Sequence, residues 1–353
     1  MRNVVLLVDL VGDTVGHYCM MQALSELDNT IIINTFEHKI KIRKSPIRAY
    51  LERYRMLNRV IHEVHKYNQE NVIVHFLTGD KFYVIPLFSS LERKRRRVIV
   101  NIHTSPRSFI QKLLLKNFSK RITTYVACSE YGLRTFQKLG IRNVISIPWP
   151  SFYDYTHIDR KEILRKKKGI EDDKIVITAL GGIRYEKGLD ILLSAYSYLP
   201  DGIKERVVLN IAGKPYGDLS MNLINSMIVQ NGIRAICKFD ALSEEEFCEN
   251  VMVSDIMVFP YRKSFKGVTS GPLTEAMSQG IPCVFPKDGP LGYYDRYHIG
   301  ETFDAEDPCS LAMAIERLIN NPYSPQRNFM LKYTRQGFIS SNQKLYLKLF
   351  SEE

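Results

Sequence analysis

The amino-acid sequence predicts an α/β protein of two doubly wound, Rossmann-like domains, and three observations carry that expectation. Short apolar, β-rich runs alternate with stretches whose apolar residues recur at three- and four-residue intervals, the pattern of strand–helix units in parallel sheets. The alternation comes in two series, separated at Ile147-Pro148-Trp149-Pro150, where prolines break regular structure. The 353 residues are enough for two separate cores.

In the first series strands are expected at residues 4–9, 30–34, 71–76, 98–103, 124–127 and 144–147, and in the second at 174–180, 206–212, 235–239, 256–259 and 282–285. Between the second and third strands, Ile47, Tyr50, Leu51, Tyr54, Leu57, Ile61 and Val64 share one stripe of a helix over residues 46–68. Arg48, Arg53, Arg55 and Arg59 lie largely off that stripe, so the helix is amphipathic and basic. The first domain is expected to span residues 1–150 and the second 151–337, entered through a polar, charged linker that runs to Lys174. A last helix, within 338–353, is expected to cross back to the first domain. Open sheets of this kind bind ligands at the carboxyl ends of their strands, which places the ligand in a cleft between the domains.

With 45% hydrophobic and 25% charged residues the composition is that of an ordinary globular chain. The longest apolar runs are of strand length, and no spanning segment or cleavable signal is visible, so a cytoplasmic location is expected. The six cysteines form no Cys-x-x-Cys pair and no metal-ligand spacing, and read as small buried hydrophobes of a reducing compartment. Charge is uneven. Residues 1–150 carry 24 Lys and Arg against 11 Asp and Glu, a net of +13, while the remainder has a net of −2. The cations gather in Lys39-Ile40-Lys41-Ile42-Arg43-Lys44, on the basic helix, and in Arg93-Lys94-Arg95-Arg96-Arg97. No nucleic-acid motif accompanies them, which leaves a solvated basic face, phosphorylated lipid acceptors or an anionic membrane surface met peripherally at the inner face of the cell membrane.

Two loop segments carry chemistry. From Gly267 to Gly271 a glycine-containing loop opens a short helix, so backbone amides and the positive helix end face whatever anion sits there. Glu275, about one turn inside the helix, can accept hydrogen bonds from a ribose diol. Gly280 and Pro282 close the helix. The second segment is Gly181-Gly182-Ile183-Arg184-Tyr185-Glu186-Lys187-Gly188, between a strand and a helix, which puts Arg184 and Lys187 at the sheet's carboxyl edge where two cations can neutralise a pyrophosphate.

Together these segments, with Pro260-Tyr261-Arg262 and Gly280-Ile281-Pro282, resemble the retaining GT-B glycosyltransferases of the group 1 or GT4 family. The resemblance is close over the C-terminal half and covers the N-terminal half in outline. It implies that Lys187 and Arg184 hold the diphosphate of a nucleotide-sugar donor and that Glu275 holds its ribose. Gly182, Thr269, Ser270, Gly271, Pro272 and Leu273 would complete the donor site. Two positions depart from the family pattern. Gly267 stands where a first Glu ordinarily meets the donor sugar, and Gly182 stands where the phosphate Arg ordinarily lies.

In the first domain, Gly12 and Gly16 follow the first strand in a turn that lacks the Gly-x-Gly-x-x-Gly spacing of a dinucleotide site, which argues against a nicotinamide enzyme. The resemblance places this turn against donor phosphates and acceptor. His103 ends a strand before Thr104-Ser105-Pro106, and the resemblance implies that it contacts the transferring sugar or its phosphate; His75 is a weaker rival. Cations and helix amides aimed at the departing diphosphate supply the assistance, so neither a metal nor another cofactor is expected beyond the nucleotide-diphosphate sugar as co-substrate. The family delivers the acceptor hydroxyl from the leaving group's face, the β-phosphate taking the proton. The expected activity is transfer of a sugar to a glycan or lipid-linked acceptor in bacterial surface-polysaccharide synthesis. A nucleotide-sugar epimerase and a non-catalytic nucleotide-sugar-binding protein are the alternatives.

Overall fold

A computed structural model describes residues 2–10, 15–33, 46–67, 71–79, 85, 96–106, 108–322 and 330–352, without the side chains of 15–18, 46–50 and 118. The chain forms two compact units, Met1–Phe152 with Arg335–Glu353, and Tyr153–Thr334. Each holds a six-stranded parallel sheet.

The first unit runs β1 (Asn3–Val8), α1 (Val15–Ser25), β2 (Thr30–Ile33), α2 (Pro46–His65), β3 (Asn71–Phe76), β4 (Arg97–Ile102), α3 (Phe109–Phe118), β5 (Thr124–Ala127), α4 (Glu130–Lys138) and β6 (Val144–Ser146). Its strands lie in the order β2-β1-β3-β4-β5-β6. Successive side chains point to opposite faces, so Val4, Leu6 and Val8 enter a core with α2, α3 and α4, while Val5 and Leu7 enter a second core with α1. The second unit runs β7 (Ile175–Leu180) to β12 (Gly300–Phe303), through β8 (Val207–Ala212), β9 (Ala235–Lys238), β10 (Ile256–Val258) and β11 (Cys283–Pro286). Its helices are α5 (Lys161–Lys167), α6 (Leu189–Ser197), α7 (Asp201–Lys204), α8 (Met221–Gln230), α9 (Glu244–Met252), α10 (Gly271–Ser278), α11 (Gly289–Gly292) and α12 (Pro308–Asn320). The strand order β12-β11-β10-β7-β8-β9 reverses between β7 and β10, and that switch point opens a crevice at their carboxyl ends.

The last helix, α13 (Arg335–Ser351), packs Phe338, Ile339, Leu345, Tyr346 and Leu349 into the second core of the first unit. A buried polar seam fixes it there. The fully buried His75 meets the Tyr346 hydroxyl through Nδ1 at 2.6 Å and Asn101 Oδ1 through Nε2 at 2.8 Å. Asn101 offers its carbonyl, so Nε2 carries the proton and Nδ1 accepts from Tyr346. Burial holds the imidazole at a pKa of about 4. His75 is a structural group, which removes it as a rival for a role at the site.

Each of the eleven expected strands lies within one residue of an observed one at either end. The edge strand β12 has no counterpart among them, because Gly-Glu-Thr-Phe lacks an apolar run. Packing makes it: a Cβ on Gly300 would stand 1.8 Å from the Cys283 carbonyl oxygen, so only glycine lets the two strands pair. The stretch read as a linker contains α5, tied to the sheet through Asp255, which accepts from Lys161 at 2.6 Å, from Arg165 and from the Val176 amide at 2.7 Å. The basic runs are also altered. Arg96, 8% exposed, turns inward to the Val64 carbonyl at 2.8 Å, and Arg97 donates to Asn71 and to the Glu352 carbonyl. Lys39 to Lys44 and Arg93 to Arg95 lie outside the described residues. On α2 the expected stripe divides, with Leu57, Ile61 and Val64 buried and Leu51 and Tyr54 exposed. Cys237 and Cys309 are exposed rather than buried.

Tyr346→Phe leaves the His75 Nδ1 unpaired in the core and should cost about 1–3 kcal/mol, read from urea unfolding followed by the fluorescence of the single tryptophan, Trp149, in the same unit. The native imidazole resists protonation, so the unfolded chain binds the extra proton as pH falls. The stability His75 contributes should be complete above pH 6.5 and decline by up to about 3 kcal/mol as pH drops toward 4.

Candidate functional site

The crevice between β7 and β10 is built on close backbone approach. The turn after β7 begins at Gly181 (φ 108°) and Gly182, passes through a 3-10 turn at Tyr185–Lys187 and ends on Gly188 (φ 64°). A Cβ on Gly188 would lie 2.0 Å from the Pro260 carbonyl oxygen, so glycine alone allows this turn to rest against the end of β10. Lys187 consequently reaches back over the turn. Its Nζ stands 3.4 Å from the point where a Cβ of Gly181 would sit, and 5.1 Å from the centre of the Tyr261 ring. Pro272, at the start of α10, stands 3.1 Å from the same point. Gly181, Gly182 and Lys187 therefore line one small crevice with Pro260 and Tyr261, and Pro272 of α10 lies against Gly181 beside it. Among the described residues Lys187 has no ion-pair partner.

The helix end is left uncapped. Ser270 occupies the N-cap position without bonding the helix amides, because its hydroxyl pairs with the Tyr261 hydroxyl at 2.8 Å. Thr269 is paired in the same way with Tyr294, at 3.0 Å. Neither side chain fills the helix entrance, and nothing lies within 4 Å of a Cβ built on Gly271. Pro272 has no N–H and contributes its fixed φ to the first turn, so the amides near the entrance are those of Gly271 and Leu273, at the positive end of the helix. Glu275 is 2% exposed and accepts from the Tyr155 hydroxyl at 3.0 Å. Burial and the Glu275 charge hold the Tyr155 phenol far above its ordinary value, so it remains a donor, and burial beside the same carboxylate pushes the Cys248 thiol up to about 12.

Two neighbours shape the surroundings. A Cβ on Gly182 would meet the Tyr216 ring at 2.6 Å, and Arg184 lays its exposed guanidinium over that ring, 4.1 Å from its centre. A side chain at position 267 would start 2.6 Å from the Phe265 ring, so the space a carboxylate would enter there is occupied by an aromatic. Arg262 is neutralised by Asp190, with bonds of 2.6 and 3.0 Å, and stacks on Tyr185. That leaves Lys187 and the exposed Arg184 as the cations of the turn.

In the first unit, Gly12 lies outside the described residues and Gly16 is in the first turn of α1. His103 follows β4 at the carboxyl edge, with both ring nitrogens engaged. The Leu77 carbonyl lies 2.9 Å from Nε2, so that nitrogen carries the proton, and Nδ1 takes the Cys128 thiol at 2.9 Å. Trp149 stacks edge-on against the ring, centroids 4.6 Å apart. Surrounding protein lowers the pKa to about 4, outweighing the opposing pull of Leu77 and Asp9. The imidazole is neutral at physiological pH and locked as a structural clasp, so contact with a ligand requires one of these bonds to open. Tyr155 and Tyr216 carry no sequence signal at the site, since each acquires its position through contacts remote along the chain, with Glu275 and Gly182.

A family model described as "Glycosyl transferases group 1" matches residues 160–337, which is 178 residues and half of the chain. The chain belongs to the group 1 glycosyl transferases. A search of curated protein sequences finds no match. Among solved structures this glycosyltransferase is similar to Anabaena HepE in complex with UDP, at 15% identity and a TM-score of 0.71 over 99% of this chain and 100% of that one. It is equally similar to a sucrose-phosphate synthase from Thermosynechococcus elongatus, at 13% identity and a TM-score of 0.72 with both chains fully covered. WaaG, a glycosyltransferase involved in lipopolysaccharide biosynthesis, aligns at 12% identity and a TM-score of 0.59 over 98% of each chain. At such identities the likeness establishes the GT-B fold.

Tyr155→Phe removes the hydroxyl donor from a buried carboxylate and should destabilise the second unit by about 1–3 kcal/mol, lowering its melting temperature by roughly 2–4 °C for each kcal/mol. An unchanged melting temperature would mean that other groups hold Glu275.

Proposed function

We propose that the protein is a retaining, metal-independent hexosyltransferase of the GT4 type, which moves a sugar from a nucleotide-diphosphate donor to a glycan or lipid-linked acceptor in bacterial surface-polysaccharide synthesis. The observation that carries this reading is Lys187 drawn over the Gly181–Gly182 turn beside the uncapped start of α10. Cleaving the anomeric bond builds negative charge on the leaving diphosphate, and a fixed cation and helix amides placed at that charge stabilise the transition state more than the ground state. Lys187 and the amides of Thr269, Ser270, Gly271 and Leu273 hold the diphosphate, Gly182 keeps its approach open, and Glu275 orients the ribose. Arg184 supplies a second, exposed cation from its perch on Tyr216.

The acceptor hydroxyl attacks from the leaving group's face and passes its proton to the departing phosphate, so no protein base is required. The first unit, which carries the positive charge, takes the acceptor. His103, at that unit's sheet edge, contacts the transferring sugar or its phosphate once one of its present hydrogen bonds opens. Structures of HepE bear UDP-glucose, or UDP with glucose, which supports a UDP-sugar as the first donor to try. One observation favours a second reading. The Phe265 ring in the space beside Gly267 removes the carboxylate that would grip a donor sugar, as a non-catalytic nucleotide-sugar-binding protein would permit.

A thermal-shift panel of UDP-, GDP-, ADP- and CMP-sugars should single out one base, since a ligand at a hundredfold its Kd stabilises the native state by about 2.7 kcal/mol. Lys187→Ala should keep the fold and lower kcat/KM by roughly 2–4 kcal/mol of transition-state stabilisation. Glu275→Gln should raise the donor KM more than it lowers kcat. Near-wild-type transfer by Lys187→Ala would discard the phosphate assignment, and donor binding with no transfer or hydrolysis across acceptors would select the second reading.

A further inference from the structure

Tyr155 belongs to the segment that enters the second unit, and its neighbours fix where its hydroxyl points. Asp154 Oδ1 accepts from the Thr156 amide at 2.9 Å and from the Thr156 hydroxyl at 2.7 Å, which closes a turn around Tyr155. Tyr153 lays its ring on Phe247 of α9, centroids 4.8 Å apart. Tyr155 itself packs against the core cluster that holds Leu273, Ala276 and Met277 of α10. Its hydroxyl then meets Glu275 Oε2 at 3.0 Å, across 120 positions of chain. The fully buried Cys248 of α9 lies against both groups.

We infer that Tyr155 is a positioning residue that holds the Glu275 carboxylate square to the ribose, so that the site takes a ribonucleoside diphosphate sugar and rejects a deoxyribonucleoside one. The inference rests on Glu275 as the ribose acceptor, and it names the class of donor such a site admits. A glutamate side chain is flexible, whereas accepting from two vicinal hydroxyls requires both carboxylate oxygens in one orientation. Tyr155 supplies that restraint from a segment already pinned by its own turn and by Phe247. Its phenol stays a donor, because burial and the Glu275 charge keep its proton in place. The Cys248 thiol, pushed up to about 12, brings no second charge to compete. A deoxyribose leaves a buried acceptor unpaired, and a site built to bond a hydroxyl rejects the analogue that lacks it. With the carboxylate free to turn, that penalty shrinks.

The test is isothermal titration of the full chain with UDP, GDP and ADP, each paired with its deoxyribose counterpart. For the base that binds, wild type should prefer the ribonucleotide by about tenfold or more, the worth of a charge-assisted hydrogen bond. Tyr155→Phe should still bind but lose most of that ratio. In a Glu275→Gln background, adding Tyr155→Phe should change the ratio by less than about twofold, because the tyrosine acts through the carboxylate. If Tyr155→Phe is unfolded at the titration temperature, Tyr153→Leu, which takes the ring off Phe247 and loosens the same segment, should lower the ratio in its place. Equal affinity of wild type for a ribonucleotide and its deoxyribose counterpart overturns the inference. So does a folded Tyr155→Phe that weakens both alike and keeps the wild-type ratio, as a merely structural tyrosine would. Binding of none of the nucleoside diphosphates overturns the donor reading itself, and the inference falls with it.

Discussion

The contact on which the site depends is between two backbones. Gly188 and Pro260 approach so closely at the crevice between β7 and β10 that a single Cβ at position 188 would stand 2.0 Å from a carbonyl oxygen. That approach lets the turn after β7 fold down onto β10, which carries Lys187 over the turn and brings it near Pro272 and Tyr261. Tyr261 in turn takes the Ser270 hydroxyl away from the helix it would otherwise cap, leaving the first amides of α10 without a side-chain cap. A helix end without its cap is a cost unless something else satisfies its amides, and an anion does so.

The two units treat charge differently. Among the described residues of the second unit, Asp255 serves Lys161 and Arg165 and Asp190 serves Arg262, whereas Lys187 has no ion-pair partner. In the first unit Arg96 and Arg97 are absorbed by backbone carbonyls and an amide side chain, and His75 and His103 are kept neutral by burial. His75 ties α13 to β3 and β4, and His103 ties the ends of β3, β4 and β5. Acid would charge both. The same surroundings that make them good clasps make them poor proton carriers at neutral pH.

Much of this was legible in the residues. The alternation of apolar runs gave the two parallel sheets, because parallel strands are buried on both faces and cannot hide that composition. The glycine-bounded turn with Lys187 and the glycine loop opening α10 were visible because a sharp turn and a helix start leave local signals in the residues. Other features had no local signal. Strand β12 exists because Cys283 to Pro286 offers an edge to pair with, the linker became a helix because Asp255 waits for its Arg165, and α2 turned Leu51 and Tyr54 outward against its own periodicity.

What the sequence by itself determined is the set of elements and the chemistry available at the sheet edges, since backbone propensity, burial period and turn residues act over a few positions. What only tertiary structure decided is which groups are already spoken for. Arg96 reads as a surface cation until Val64 receives it, both ring nitrogens of His103 are taken by Leu77 and Cys128, and Gly267 reads as an open position until Phe265 fills the space beside it. Each of these turns on a partner brought near by the fold, and a hydrogen bond or a van der Waals contact extends only a few ångströms, whatever the separation along the chain.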